Sequence, residues 1–149
     1  MQNVLRHSTT GARILLGVAF LVFGLNGFLG FLPMPPHEGE AGAFLGALAA
    51  TGYMFPLIKG TEVLVGLLLL SNRFVPLALV LLAPVMVNIV AFHAVLEPAG
   101  VAVPLALAAL QLFLVWAYRV RFVDVLKPDV KSDARVATTP PRGAVGVGG

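Results

Sequence analysis

Charged residues divide the chain into long apolar runs. Asp, Glu, Lys and Arg are all absent from Ile14 to His37, from Phe74 to Leu96 and from Pro98 to Tyr118. A helix needs about 20 apolar residues to cross a hydrocarbon core of about 30 Å, and each run is long enough. The first ends in a Pro33-Met34-Pro35-Pro36 break. Pro104 falls in a first helical turn, where a missing N–H costs nothing. These runs predict spans over 12–32, 74–96 and 101–118. A fourth, over 55–71, is interrupted by Lys59 and Glu62, but Val63-Leu64-Val65 and Leu67-Leu68-Leu69-Leu70 are too apolar to leave in water. Pro56 suits its first turn, and Ser71-Asn72-Arg73 reads as a polar turn into the next span. The expected fold is all-α, a four-helix transmembrane bundle.

Between spans one and two, Phe44, Leu45 and Leu48 make a modest stripe, and Gly52 breaks the helix before Pro56. That pattern favours a short interfacial helix over a loop dipping into the bilayer. Residues 1–11 form an N-terminal segment, 12–122 the membrane domain, and 123–149 a polar, then Pro- and Gly-rich tail with nothing to bury, expected to be disordered. Arg6, Arg13, Arg73 and the six basic residues from Arg119 to Arg142 fall on one side of the spans, while Glu38, Glu40 and Glu97 fall on the other. Both termini are therefore expected in the cytoplasm, with Trp116 and Tyr118 in the inner aromatic belt and Tyr53 in the outer. A signal peptide is the rival reading of span one, but the run is long for one and lacks a small-x-small cleavage site.

Composition sharpens the class. The chain is 58% hydrophobic and 11% charged, against about 45–50% and about 25% in soluble domains. The mean hydropathy is +0.94. With no cysteine, disulfides, thiolate metal sites and iron–sulfur clusters are excluded. The net charge of +3 comes from basic residues scattered at segment ends, which argues against a nucleic-acid partner.

Six polar residues fall inside the spans: Asn26, Lys59, Glu62, Asn88, His93 and Gln111. At about 1.5 Å per residue, all but Gln111 fall in the outer half, which suggests a common polar chamber opening outward. Each also has a structural reading. The amides serve as interhelical glue worth about 0.6 kcal/mol each, and His93 can sit among headgroups. Pro84 removes the hydrogen bond to Val80 and predicts a kink. Lys59 and Glu62 are harder to dismiss, because one charge at a helix centre costs about 2.5–3.5 kcal/mol on insertion scales. Three positions apart, they share a face and can neutralise one another. Gly66 continues that face, and Gly17, Gly24, Gly27 and Gly30 give span one a small-residue surface for close packing. No metal site is expected. His93 alone lies within the spans, so a single chain cannot hold a bis-His haem.

The order of features resembles the DoxX family of small bacterial membrane proteins. The likeness rests on Arg13-Ile14-Leu15-Leu16-Gly17 and Gly24-Leu25-Asn26-Gly27-Phe28 in span one, Glu62 followed by Gly66-Leu67-Leu68-Leu69-Leu70 in span two, and Ala91-Phe92-His93 late in span three. It covers roughly residues 10–122. Family members often carry a basic residue after the glycine-rich part of span one, which Asn26-Gly27-Phe28 lacks. The resemblance implies a multi-pass protein of the bacterial plasma membrane that supports quinone-linked redox chemistry, with no covalent cofactor and with quinone as the implied ligand. Glu62 and His93 would be hydrogen-bond or proton partners of a quinone carbonyl, with Lys59 setting the charge of Glu62. Membrane lipids, redox partner proteins and a second copy of the chain are the expected partners. A small transporter lined by the same residues is one alternative, and a ligand-free structural or assembly factor is another.

Overall fold

A computed structural model describes residues 2–33 and 36–122. The expected tail, 123–149, lies outside the described residues. Six α-helices follow one another: α1 (Gln2–Leu29), α2 (Gly39–Ala50), α3 (Met54–Leu70), α4 (Val75–Val95), α5 (Ala102–Ala117) and α6 (Arg119–Phe122), with a 3-10 turn at Pro98–Gly100 between α4 and α5. The protein is all-helical, with no strand among the described residues. Both α1 and α4 are long and apolar enough to cross a membrane. A third candidate arises if α2 and α3, bent by 92° at their junction, count as one span; α5 is apolar but shorter.

Helix α1 begins ten residues before the expected span. Its first turns are polar yet helical: His7 Nδ1–H donates to the Asn3 carbonyl and the Thr9 hydroxyl to the Leu5 carbonyl. A charge-free run marks the apolar stretch of a helix, not its ends. The helix also stops early. Gly30 takes a left-handed φ of 60° with its N–H on the Asn26 carbonyl, a glycine stop. Gly30 is therefore a terminator with nothing within contact distance, not part of the packing stripe.

The other glycines of that stripe set how α1 meets α3. A Cβ on Gly17 would come to 3.2 Å from Leu69 Cβ, one on Gly24 to 2.8 Å from the Val63 nitrogen, and one on Gly66 to 2.7 Å from the Leu21 nitrogen. Gly27 lies against the methylenes of Lys59. Ascending positions on α1 thus meet descending positions on α3, so the two helices run antiparallel with backbones nearly in contact. Such an approach is open only to small residues. The ring closes as α1 also packs on α5, and α4 packs on both α3 and α5.

Leu16, Phe20, Val65, Leu69, Leu79, Leu82 and Leu114 fill the centre and are almost wholly buried. Around them the pattern is inverted relative to a soluble protein. Leu15, Leu57, Leu67, Val87 and Leu112 are exposed, while Arg13, Glu62 and Gln111 are inside. An apolar exterior of this extent needs an apolar solvent or a partner.

The register makes a sharp test, because Gly60 and Gly66 share a helix and only Gly66 faces α1. Gly66→Ala is expected to lower the unfolding free energy in detergent micelles by about 1–3 kcal/mol, through overpacking. Gly60→Ala, with open space around it, should raise it by up to about 1 kcal/mol through helix propensity. Equal effects, read by denaturant titration, would contradict the register.

Candidate functional site

The spacing of Lys59 and Glu62 on α3 puts the two side chains on one face, and the glycines of α1 decide how deeply that face is buried. With Gly24 opposite Glu62 Cβ and Gly27 beside the Lys59 stem, α1 closes over the pair. Glu62 is 2% exposed and Lys59 22%. Lys59 Nζ donates to both carboxylate oxygens, at 3.1 Å to Oε1 and 2.9 Å to Oε2. An ammonium has three N–H groups. Two are spent on Glu62, and the third has no partner among the described residues.

The remaining sequence candidates do not join it. Among the described residues, no hydrogen bond links Asn26, Asn88, His93 or Gln111 to the pair or to one another. Asn26 closes the end of α1, where its Oδ1 accepts the Leu32 N–H at 2.6 Å. Gln111 is 6% exposed, and its amide donates to the Leu79 carbonyl at 3.0 Å, tying α5 to α4. Its Oε1 has no partner among the described residues. Asn88 is exposed on α4 beside a shallow groove of about 260 Å³ shared with Phe44 and Phe92. His93 Nδ1–H donates to the Ile89 carbonyl at 2.9 Å, which in the neutral ring leaves Nε2 an acceptor, 3.9 Å from Glu97 Oε2. Gly100 leaves room for that ring, since a Cβ there would lie 2.9 Å from His93 Cδ2.

Two contacts escaped the sequence reading. One joins His37 to Glu97: His37 Nδ1–H donates to Glu97 Oε1 at 3.0 Å, while the His37 ring meets Phe92 edge-on at 5.8 Å. With His93 on the other oxygen's side, Glu97 lies between two imidazoles at one end of the bundle. The chain positions of His37 and Glu97, sixty residues apart, carry no signal for this; only the antiparallel helix order brings them together.

The other contact is that of Arg13. It is 8% exposed, and its Nη1 donates to the Leu69 carbonyl and, at 3.3 Å, to that of Leu70. These are orphan carbonyls at the end of α3. Asn72 in a left-handed φ of 57° completes the termination: its N–H reaches the Leu69 carbonyl at 3.2 Å and the Arg73 N–H the Leu68 carbonyl at 3.1 Å, a Schellman arrangement. Leu70 has no donor within α3, and Arg13 supplies one from the neighbouring helix. The positive charge also suits the negative end of the helix dipole. Arg13 stands four residues before Gly17, on the face that packs against α3, but only the antiparallel register of the two helices identifies the carbonyls it reaches.

Compared with known proteins, the chain matches no family model, no curated protein and no solved structure.

The cap predicts a graded loss. Arg13→Leu leaves the Leu70 carbonyl unpaired and should cost about 1–3 kcal/mol of stability in micelles. Arg13→Lys keeps the charge and one donor and should recover part of it. Wild-type stability in Arg13→Leu, measured by thermal unfolding, would remove Arg13 from that role.

Proposed function

We propose that this chain is a DoxX-like protein of the bacterial plasma membrane, with α1, α3, α4 and α5 crossing as a four-helix transmembrane bundle and both termini in the cytoplasm. The cyclic packing of these four helices and their exposed leucines and valines support this reading. At 17 residues, α3 is at the lower limit of about 17 for a span. The 92° bend lays α2 across the direction of α3, as an interfacial helix between spans one and two would lie. Ala102–Ala117, apolar except for the buried Gln111, continues into Arg119–Phe122 with its two arginines, where a span would leave the bilayer on the basic side. Cysteines introduced singly at Glu40 and Ala99 should react with an impermeant maleimide in intact spheroplasts, and one at Arg73 should not. The reverse pattern would overturn the orientation.

In that frame the Lys59–Glu62 pair lies in the outer half, and the function it supports best is that of a membrane subunit holding a quinone headgroup for a redox partner. The observation that carries this is that Lys59, 22% exposed, has no hydrogen-bond partner besides Glu62 among the described residues, which leaves one N–H of its ammonium to spare. A quinone carbonyl is a neutral acceptor able to take that hydrogen bond in a medium that offers few others. Glu62 would keep the ammonium charged and pointed, and His93 remains available as a second hydrogen-bond partner toward the outer end. A bound quinone would supply the electron-accepting ring and a partner protein the electrons, while this chain would contribute position and hydrogen bonds.

One observation favours the structural alternative, a ligand-free fastening: both Glu62 oxygens are already satisfied by Lys59. Replacing a buried ion pair by apolar residues of similar size is often neutral or stabilising, so the double variant Lys59→Met with Glu62→Leu separates the two. Quinone extracted from protein purified in mild detergent is the readout. The proposal expects near-stoichiometric quinone in the wild type, little in the double variant, and a clear decrease in Glu62→Gln. Full retention in a well-folded double variant would leave the pair as a fastening only.

A further inference from the structure

At the other end of the bundle, the first turns of α1, the α3–α4 turn and the end of α5 enclose an open cleft of about 420 Å³. Its polar lining is Arg6, Thr9, Thr10, Arg13, Asn72 and Tyr118, without a single carboxylate. The volume falls within the about 300–1,000 Å³ usual for small-molecule sites. Arg13 is the informative member. The residue is 8% exposed, and among the described residues no acid lies within ion-pair distance. Among the described residues only Nη1 is engaged, on the Leu69 and Leu70 carbonyls. The guanidinium carries five N–H donors, so most of them are left for whatever occupies the cleft. A buried charge without a counterion is costly unless something supplies one. Arg6, about two turns further toward the N-terminus, brings a second positive charge to the same space, and the hydroxyls of Thr10 and Tyr118 add donors.

We propose that this cleft binds the phosphate of an anionic membrane lipid. Phosphate is the chemistry that uses several N–H and O–H donors converging with two arginines. A lipid is favoured over the free ion because Leu5 also lines the cleft, and because Trp116 and Val120 are exposed at the same end of the bundle; acyl chains can lie along that apolar surface. Basic pockets between helices on the cytoplasmic side hold such headgroups. The assignment takes from the functional reading only that this end of the bundle meets a membrane face. It does not depend on quinone.

The full chain, purified in detergent and stripped of lipid, is titrated with phosphatidylglycerol, phosphatidylcholine of the same acyl chains, or inorganic phosphate, and bound ligand is counted by native mass spectrometry. One phosphatidylglycerol per chain should be retained, phosphatidylcholine should not, and inorganic phosphate at equal concentration should not displace the lipid. Arg6→Gln, which leaves the Arg13 cap intact, should weaken retention about fivefold, as expected for one basic residue near an anionic headgroup. Arg119→Gln removes an exposed charge at the same end that lines no part of the cleft, and should leave retention unchanged. Equal weakening by both variants would reduce the effect to surface potential and overturn the site. Equal retention of phosphatidylcholine would also overturn it, and displacement by inorganic phosphate would reassign the cleft to the free ion. Each reading is made in detergent, so it stands whether or not the quinone test succeeds.

Discussion

Gly17, Gly24 and Gly27 of α1 and Gly66 of α3 let two helices approach until side chains of one rest on the backbone of the other. In lipid, apolar side chains gain nothing by leaving one hydrocarbon surface for another, so helix association rests on packing and hydrogen bonds. The closeness also has a second consequence. It removes Glu62 from any solvent and forces the carboxylate to find its partner within the protein, which Lys59 provides from three positions away on the same helix. At the opposite end of the same interface, it brings Arg13 within reach of the last carbonyls of α3. Both charged contacts depend on the absence of four side chains.

The buried polar groups lie where helices meet, two of them at opposite ends of the α1–α3 contact and one between α4 and α5. Arg13 ties α1 to α3, Gln111 ties α5 to α4 through the Leu79 carbonyl, and the Lys59–Glu62 pair lies where α1 covers α3. His37 and Glu97 join the segment before α2 to the one after α4. The carbonyl acceptors at Leu69, Leu70 and Leu79 are backbone groups, so these ties can be broken only by removing the side chain. An exterior of leucine and valine needs no such ties. The candidate ligand sites follow from what the ties leave over: one N–H of Lys59, and the unspent N–H groups of Arg13.

Much of the helical order was legible in the sequence, because apolar runs without charge are long enough to be helices and little else. The turn at Ser71-Asn72-Arg73 and the packing roles of Gly17, Gly24, Gly27 and Gly66 could also be read from residue type and spacing. The start of α1 could not, since polar residues extend a helix without extending its apolar run. Gly30 has the same three-residue spacing as its neighbours but a left-handed backbone, a distinction that spacing does not carry. Arg13 read as a marker of membrane side, and its role emerged only from the antiparallel register with α3. The grouping of six polar residues by depth said nothing of direction around each helix. Lys59 and Glu62 meet, whereas Asn26, His93 and Gln111 turn to backbone partners and Asn88 to the exterior.

The antiparallel contact between α1 and α3 underlies both charged sites, and the chain's lack of cysteine makes it directly accessible to crosslinking. A Cβ at Gly17 lies 3.2 Å from Leu69 Cβ, near the about 3.5–4.5 Å that a disulfide spans. After mild oxidation in membranes, the Gly17→Cys, Leu69→Cys chain should lose its reactivity toward maleimide and regain it on reduction. A Gly17→Cys, Lys59→Cys chain should stay reactive throughout. Crosslinking of the second pair but not the first would place the helices in the opposite register and contradict the account.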